Sequence, residues 1–164
     1  MSPDTPGEDD DTVTPRGLLG VVDDLRTDVM DAPETLKRVW CGLVQARLLG
    51  LRLATADTRY RKLQVNAESV EHQLARDLGT SAALAGEPLA LPTTAAPAPL
   101  PPDQLQDAVD ALVEFSRTAR RTMLAAAPSA TQWDDERVLR HDSKVMGELG
   151  AAWLGQRTSY RVGR

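Results

Sequence analysis

The sequence has few of the residues that mark several protein classes. Cys41 is its single cysteine, which excludes an intramolecular disulfide framework and fits a reducing cytoplasm. Aromatic residues make up only 4% of the 164 residues and isoleucine is absent, so a core has to be built from Leu, Val and Ala. The chain lacks an apolar run of the roughly 18 residues that a membrane-spanning helix needs. It also lacks an apolar signal-peptide region, so we expect neither a membrane span nor secretion.

Charge and motifs exclude further classes of protein. A net charge of -5 argues against a general nucleic-acid binder, because phosphate contacts need a basic surface. The chain contains no P-loop, Gly-rich dinucleotide fingerprint, Cys-x-x-Cys or Gly-x-Ser-x-Gly motif. It has two histidines, and Glu68 and His72 are one residue too far apart for the Glu-x-x-His of di-iron bundles. We therefore expect no metal and no cofactor.

Apolar residues recur at helical spacing along the chain. They predict a first helix from about Pro15 to Met30 and a long helical segment after it. Asp31 and Glu34 form a helix-start signal resembling a capping box. An unbroken segment over residues 34–78 would span roughly 65 Å. We therefore expect a break, and the sequence favours Asn66.

Two further helices are predicted in the C-terminal half. One begins near Pro102, and the last is capped by Ser129 or Thr131 and continues to about Tyr160. Strand-like alternation of useful length is absent. The sequence thus predicts an all-α fold, a four- or five-helix bundle with a long Pro-rich linker before the penultimate helix.

The predicted bundle is a single domain with an acidic tail. Residues 1–14 have the composition of a disordered segment, and residues 15–164 form the domain. Within it, residues 86–102 contain six prolines and predict a semi-rigid, polyproline-type linker that could reach roughly 50 Å. A surface loop and a Pro-rich ligand for a partner's aromatic groove stay open as alternatives.

Two charged residues interrupt apolar helix faces. On a helical wheel Asp142 lies in the middle of the apolar face of the last helix, and His141 lies at its boundary. Arg47 lies on the apolar side of the second helix. Because an unpaired buried charge is very costly, Arg47 needs a partner. Asp142 is the first candidate, with Asp135 and Asp57 in reserve.

These residues allow three interpretations. Arg47 and Asp142 could form an internal ion pair that fixes helix register, or one or both could simply be exposed. They could also line a pocket for a small anionic ligand, such as a carboxylate or phosphate. In the pocket interpretation, the ligand-binding residues are Arg47, Trp40 and Trp153, and the catalytic candidates are Asp142, His141 and Tyr160.

Other side chains have simpler expectations. His72 lies opposite an apolar stripe and should face solvent. Cys41 lies in an apolar run and should be buried. Gly147, Ala151 and Gly155 form a strip of small residues that could allow close approach by another subunit.

The sequence favours a small cytoplasmic helical-bundle protein that acts through protein–protein interaction, such as an accessory subunit. Its partner would be another protein or a second copy of the chain, with no nucleic acid and no membrane involved. The alternative is a small-molecule-binding protein or enzyme with a pocket around Arg47 and Asp142. Whether the chain is an enzyme stays open.

Overall fold

The computed structural model describes residues 12–94 and 96–156. They form five α-helices, and no strand occurs among them, which confirms the predicted all-α fold. The helices are α1 (Pro15–Thr27), α2 (Ala32–Ala56), α3 (Arg61–Leu78), α4 (Leu105–Ala126) and α5 (Trp133–Trp153). None of these helices is long and apolar enough to cross a membrane. The predicted acidic tail lies outside the described residues except for its last three.

Local capping fixes where the first two helices begin. The Thr14 hydroxyl accepts a hydrogen bond from the backbone of the first turn of α1. The Asp31 carboxylate accepts one from the Glu34 N–H at 3.0 Å, so the predicted helix start is confirmed. The Glu34 carboxylate accepts from Arg38 at 3.0 Å and does not complete a capping box. The first helix ends at Thr27, earlier than predicted.

The predicted break at Asn66 was wrong, because the long helical segment is interrupted at Asp57. This residue has an extended backbone, with φ -151° and ψ 123°, and its carboxylate accepts a hydrogen bond from the Arg59 N–H at 3.0 Å. An Asp side chain that bonds its own neighbouring backbone competes with helix continuation. Asn66 lies inside α3.

Glycines let α2 approach two buried aromatic rings. The Phe115 ring of α4 lies against Gly42, where an added Cβ would overlap it. The Trp153 ring of α5 lies against Gly50, where an added Cβ would be 2.6 Å from a ring carbon. Most of the surrounding core consists of Leu, Val and Ala, as expected. These contacts let α2 pack closely against α4 and α5, while α4 packs most extensively against α5 and also contacts α1 and α2.

The Pro-rich segment comes after α3 in the chain and lies beside α2. Between Gly86 and Pro101 the described residues adopt neither helix nor strand. The Arg52 guanidinium donates to the Ala98 carbonyl at 2.8 Å and the Pro99 carbonyl at 3.2 Å. These bonds hold the segment beside α2. Its semi-rigid, polyproline-type character stays a prediction.

The last helix begins and ends differently from the prediction. Its N-cap is Gln132, which makes no capping bond, and the Ser129 hydroxyl donates instead to the Ala126 carbonyl at 2.7 Å. The helix ends at Trp153, followed by Gly155 in the left-handed conformation with φ +73°. Glycine adopts that conformation without strain and commonly terminates helices. The predicted continuation to Tyr160 was wrong.

Candidate functional site

Asp142 is a carboxyl group in the interior that no hydrogen-bond donor of the described residues reaches. It lies on the buried face of α5, as the helical wheel predicted, and is 0% exposed. Neither of its carboxylate oxygens has a hydrogen-bond partner among the described residues. Because a buried polar group without a partner is costly, this position calls for a functional explanation.

Asp77 and His141 lie beside Asp142. Asp77 is in the last turn of α3, which packs against α5. Its Oδ2 atom is 3.7 Å from His141 Nε2 and also lacks a hydrogen-bond partner among the described residues. One ligand atom from each of the three side chains lies within 4.8 Å of the other two. We call Asp77, His141 and Asp142 the Asp–His cluster.

The Asp–His cluster extends from the interior to the surface. Asp142 is fully buried, the Asp77 side chain is 25% exposed and the His141 side chain is 57% exposed. Burial, together with the Asp77 carboxylate, raises the pKa of Asp142 to about 9, although Arg137 opposes this. Two carboxylates this close cannot both stay ionised without compensation. A shared proton or a bound cation would supply it.

The predicted partner of Arg47 was wrong. Arg47 is buried, at 4% exposure, but its Nη1 atom is 3.2 Å from Glu71 and its Nη2 atom is 3.3 Å from Glu68. Its Nε–H donates to the Pro92 carbonyl at 3.1 Å. Arg47 therefore pairs across to the middle of α3, whereas Asp142 lies beside the end of α3. The structure does not bring these two residues together.

Glu71 is the buried partner of Arg47 that sequence reasoning missed. It is 1% exposed, and burial raises its pKa to about 7 although Arg47 acts in the opposite direction. The signal was present, because Glu71 is four residues after Ala67 and three before Leu74 on the apolar stripe. Since each nitrogen of the Arg47 guanidinium has a partner within the chain, its geometry favours a structural ion pair.

The other residues of the predicted pocket make no hydrogen bond or ion pair with Arg47 among the described residues. Trp153 is buried against Gly50, and its indole N–H has no hydrogen-bond partner among the described residues. Trp40 is partly buried and packs against the core. Tyr160 lies outside the described residues. His141 and Asp142 are the two catalytic candidates that the structure brings together.

The outer face of α5 lines a groove of about 600 Å³. Trp133, at the start of α5, is 72% exposed, and the Arg137 guanidinium lies over its ring at 5.4 Å. Leu124 of α4 is 44% exposed. We call this the α5 groove, and the residues lining it are Leu124, Trp133, Glu136, Arg137, Arg140, His141 and Lys144.

Two of the simpler expectations had opposite outcomes. His72 is exposed, as predicted, and lies 3.6 Å from Glu68. Cys41 is also exposed, so its predicted burial was wrong. An apolar run does not identify which side of a helix faces the core, and on α2 the side that carries Cys41 faces solvent.

The predicted strip of small residues, of which Gly155 lies beyond the end of α5, is covered partly by this chain. A Cβ added at Gly147 would lie 3.2 Å from Arg120, and one added at Gly155 would lie 3.6 Å from Leu63. Close approach by a second subunit at this strip stays a prediction.

Comparison with known proteins identifies no relative. The chain matches no family profile, no curated protein and no solved structure.

Proposed function

We propose that this protein is a cytoplasmic interaction protein, such as an accessory subunit, and that its α5 groove binds an acidic segment of a partner protein. The observation that carries the proposal is the exposure of Trp133. An indole that is 72% exposed beside a guanidinium offers the side chains that interaction hot spots use, because Trp and Arg are enriched there. Leu124 extends the apolar part of this surface.

The charge of the α5 groove favours an acidic partner. Arg137, Arg140 and Lys144 line it together with a single acidic residue, Glu136, on a chain whose net charge is -5. Arg137 is 3.4 Å from Asp134 and Arg140 is 2.9 Å from Glu136, so Lys144 is the groove cation without an ion pair among the described residues. Complementary charge accelerates association and selects the partner. We expect the bound segment to carry carboxylates around one apolar anchor that contacts Trp133.

The cytoplasmic location belongs to the same proposal. The exposed thiol of Cys41 is the single thiol of the chain. An unprotected thiol of this kind suits a reducing compartment.

Photo-crosslinking in the native host tests the proposal. A benzophenone amino acid replaces Trp133 in one variant and Val29 in a matched control. Val29 is fully exposed in the loop after α1 and lies outside the α5 groove. Crosslinked peptides are identified by mass spectrometry, and the partner is then purified and titrated against the unmodified protein.

We expect crosslinks from position 133, but not from position 29, to an acidic segment of one protein. The purified partner should bind, and its affinity should fall as salt increases, because salt screens exposed charges. Equal crosslinking from the two positions, or a purified partner that does not bind, would overturn the proposal. Crosslinks confined to a second copy of this chain would replace the accessory-subunit proposal with self-association.

A further inference from the structure

We infer that Asp77, His141 and Asp142 form a binding site for a first-row divalent metal ion of the Zn²⁺ class. The site joins the last turn of α3 to the middle of α5. It does not depend on the partner proposed for the α5 groove.

The donor set is the first argument. Two carboxylates and one imidazole are a common ligand set for zinc and its neighbours. The 3.7 Å between His141 Nε2 and Asp77 Oδ2 is close to the roughly 3.4 Å that separates two ligand atoms of a tetrahedral zinc ion. The ligand atoms of all three side chains lie within 4.8 Å of one another, so small side-chain rotations would close them around an ion.

The missing hydrogen bonds of Asp142 are the second and independent argument. Asp142 is 0% exposed, and both of its oxygens, like Asp77 Oδ2, lack a hydrogen-bond partner among the described residues. A buried carboxylate without a donor is costly, and a dication between Asp142 and Asp77 would compensate both carboxylates. Glu68, the carboxylate of the other neighbouring His–acid pair, has no such buried orphan oxygen in the described structure.

The geometry also indicates the type of ion and where it is open to solvent. Ca²⁺ prefers six to eight oxygen ligands and Mg²⁺ a largely hydrated octahedron, which fit three ligands including an imidazole poorly. Three protein ligands leave a fourth position for water. His141 is 57% exposed and lines the α5 groove, so solvent reaches the cluster from the groove side.

The sequence predicted no metal site because its two histidines and their neighbouring acids match no known metal motif. His141 and Asp142 are adjacent in the sequence, but the third ligand, Asp77, comes from a different helix. Only the packing of α3 against α5 brings it near.

The test is calorimetric titration of the full chain with ZnCl₂ after removal of bound metal with EDTA. The variants are His141→Ala and Asp142→Asn, and the matched control is His72→Ala. His72 is the other histidine of the chain, is equally exposed and also lies near a carboxylate. Circular dichroism verifies that each variant retains its helices, and Asp77→Asn replaces Asp142→Asn if the latter does not fold.

We expect one zinc ion per chain, with affinity reduced at least tenfold in His141→Ala and Asp142→Asn and unchanged in His72→Ala. Co²⁺ substituted at the same site should give visible absorption bands that disappear in Asp142→Asn. Absence of saturable binding at millimolar zinc would overturn the inference and favour a proton shared by Asp77 and Asp142. Equal affinities in His72→Ala and Asp142→Asn would overturn it as well.

Different variants test the proposed metal site and the proposed partner site. Asp142 does not line the α5 groove, so Asp142→Asn tests the metal site while leaving the groove intact. Trp133→Ala alters the groove and leaves the three ligands in place. Zinc binding by Trp133→Ala is therefore expected to equal that of the wild type.

Discussion

Replacing Arg47 with methionine should destabilise the fold severely. Methionine fills much of the same volume but cannot pair with Glu71, which is 1% exposed and 3.2 Å from Arg47 Nη1. The variant leaves a buried carboxyl without its counter-charge. It also removes the hydrogen bond to the Pro92 carbonyl.

The contacts of Arg47 determine how much stability Arg47→Met loses. Breaking a buried ion pair by removing one partner costs about 3–5 kcal/mol. The hydrogen bond to Pro92 accounts for about 1 kcal/mol of this. Glu68 adds little, because its side chain is 37% exposed and exposed ion pairs contribute at most about 1 kcal/mol. We therefore expect Arg47→Met to lower the free energy of unfolding by about 3–5 kcal/mol.

Urea denaturation at several pH values measures the loss. The double variant Arg47→Met/Glu71→Leu should recover to within about 1 kcal/mol of the wild type, because apolar replacement of a whole buried ion pair is often neutral. The matched control is Arg38→Met on the same helix. Arg38 pairs with Asp28 and Glu34, but its side chain is 36% exposed. This control should lose far less stability than Arg47→Met, because solvent screens exposed ion pairs.

The loss should also depend on pH. The pKa of Glu71 in the folded state, about 7, lies above its ordinary value of 4.5. Because this pKa is raised in the folded state, the Glu71 side chain favours folding most below pH 4.5. That contribution to the free energy of unfolding is lost as pH rises through about 7. Without Arg47 that pKa rises further. The penalty of Arg47→Met should thus grow by about 1.4 kcal/mol per pH unit above neutrality and be smallest near pH 5.

Two results would refute this reasoning. A loss below about 1 kcal/mol for Arg47→Met would show that the guanidinium is not buried against Glu71. An equal loss in the single and double variants would show that lost packing, and not the unpaired Glu71, causes the effect.

Two other predictions test the packing of α2 and its exposed side. Gly50→Ala should cost about 1–3 kcal/mol in urea denaturation, because the added methyl group overlaps Trp153. Gly20→Ala, where no atom lies within 4 Å of the added Cβ, should instead stabilise α1 by roughly 0.5–1 kcal/mol; equal effects at the two glycines would contradict the account. The Cys41 thiol should react with Ellman's reagent in the native protein, and reaction only after unfolding in urea would contradict its exposure.

Local signals predicted much of the fold correctly. Helix starts such as Asp31 depend on a side chain and the backbone a few residues away, so the sequence contains the whole interaction. The burial of Arg47 and Asp142 could also be predicted, because a helical wheel needs only helical geometry. The break at Asp57 was missed although Asp57 carries a capping signal comparable to that of Asn66.

Pairings between helices could not be predicted in this way. Arg47 and Asp142 looked complementary because both interrupt an apolar face. The neighbour of Arg47 is Glu71 and that of Asp142 is Asp77. These two acids lie at different positions along the axis of α3. Deciding among them requires the vertical offset between helices, which composition and periodicity do not contain. Trp133 was missed for another reason, because a single apolar residue at the start of a helix forms no periodic pattern.

The central claim is that the α5 groove binds an acidic segment of a partner protein. Its most direct test is calorimetric titration of the acidic segment crosslinked at position 133, prepared as a synthetic peptide, against the wild type and Arg140→Glu/Lys144→Glu. Arg117→Glu/Arg120→Glu on α4 is the control of equal charge change. The account predicts at least a tenfold loss of affinity, about 1.4 kcal/mol, in the groove variant and wild-type affinity in the control. Equal affinities in the groove variant and the control would contradict it.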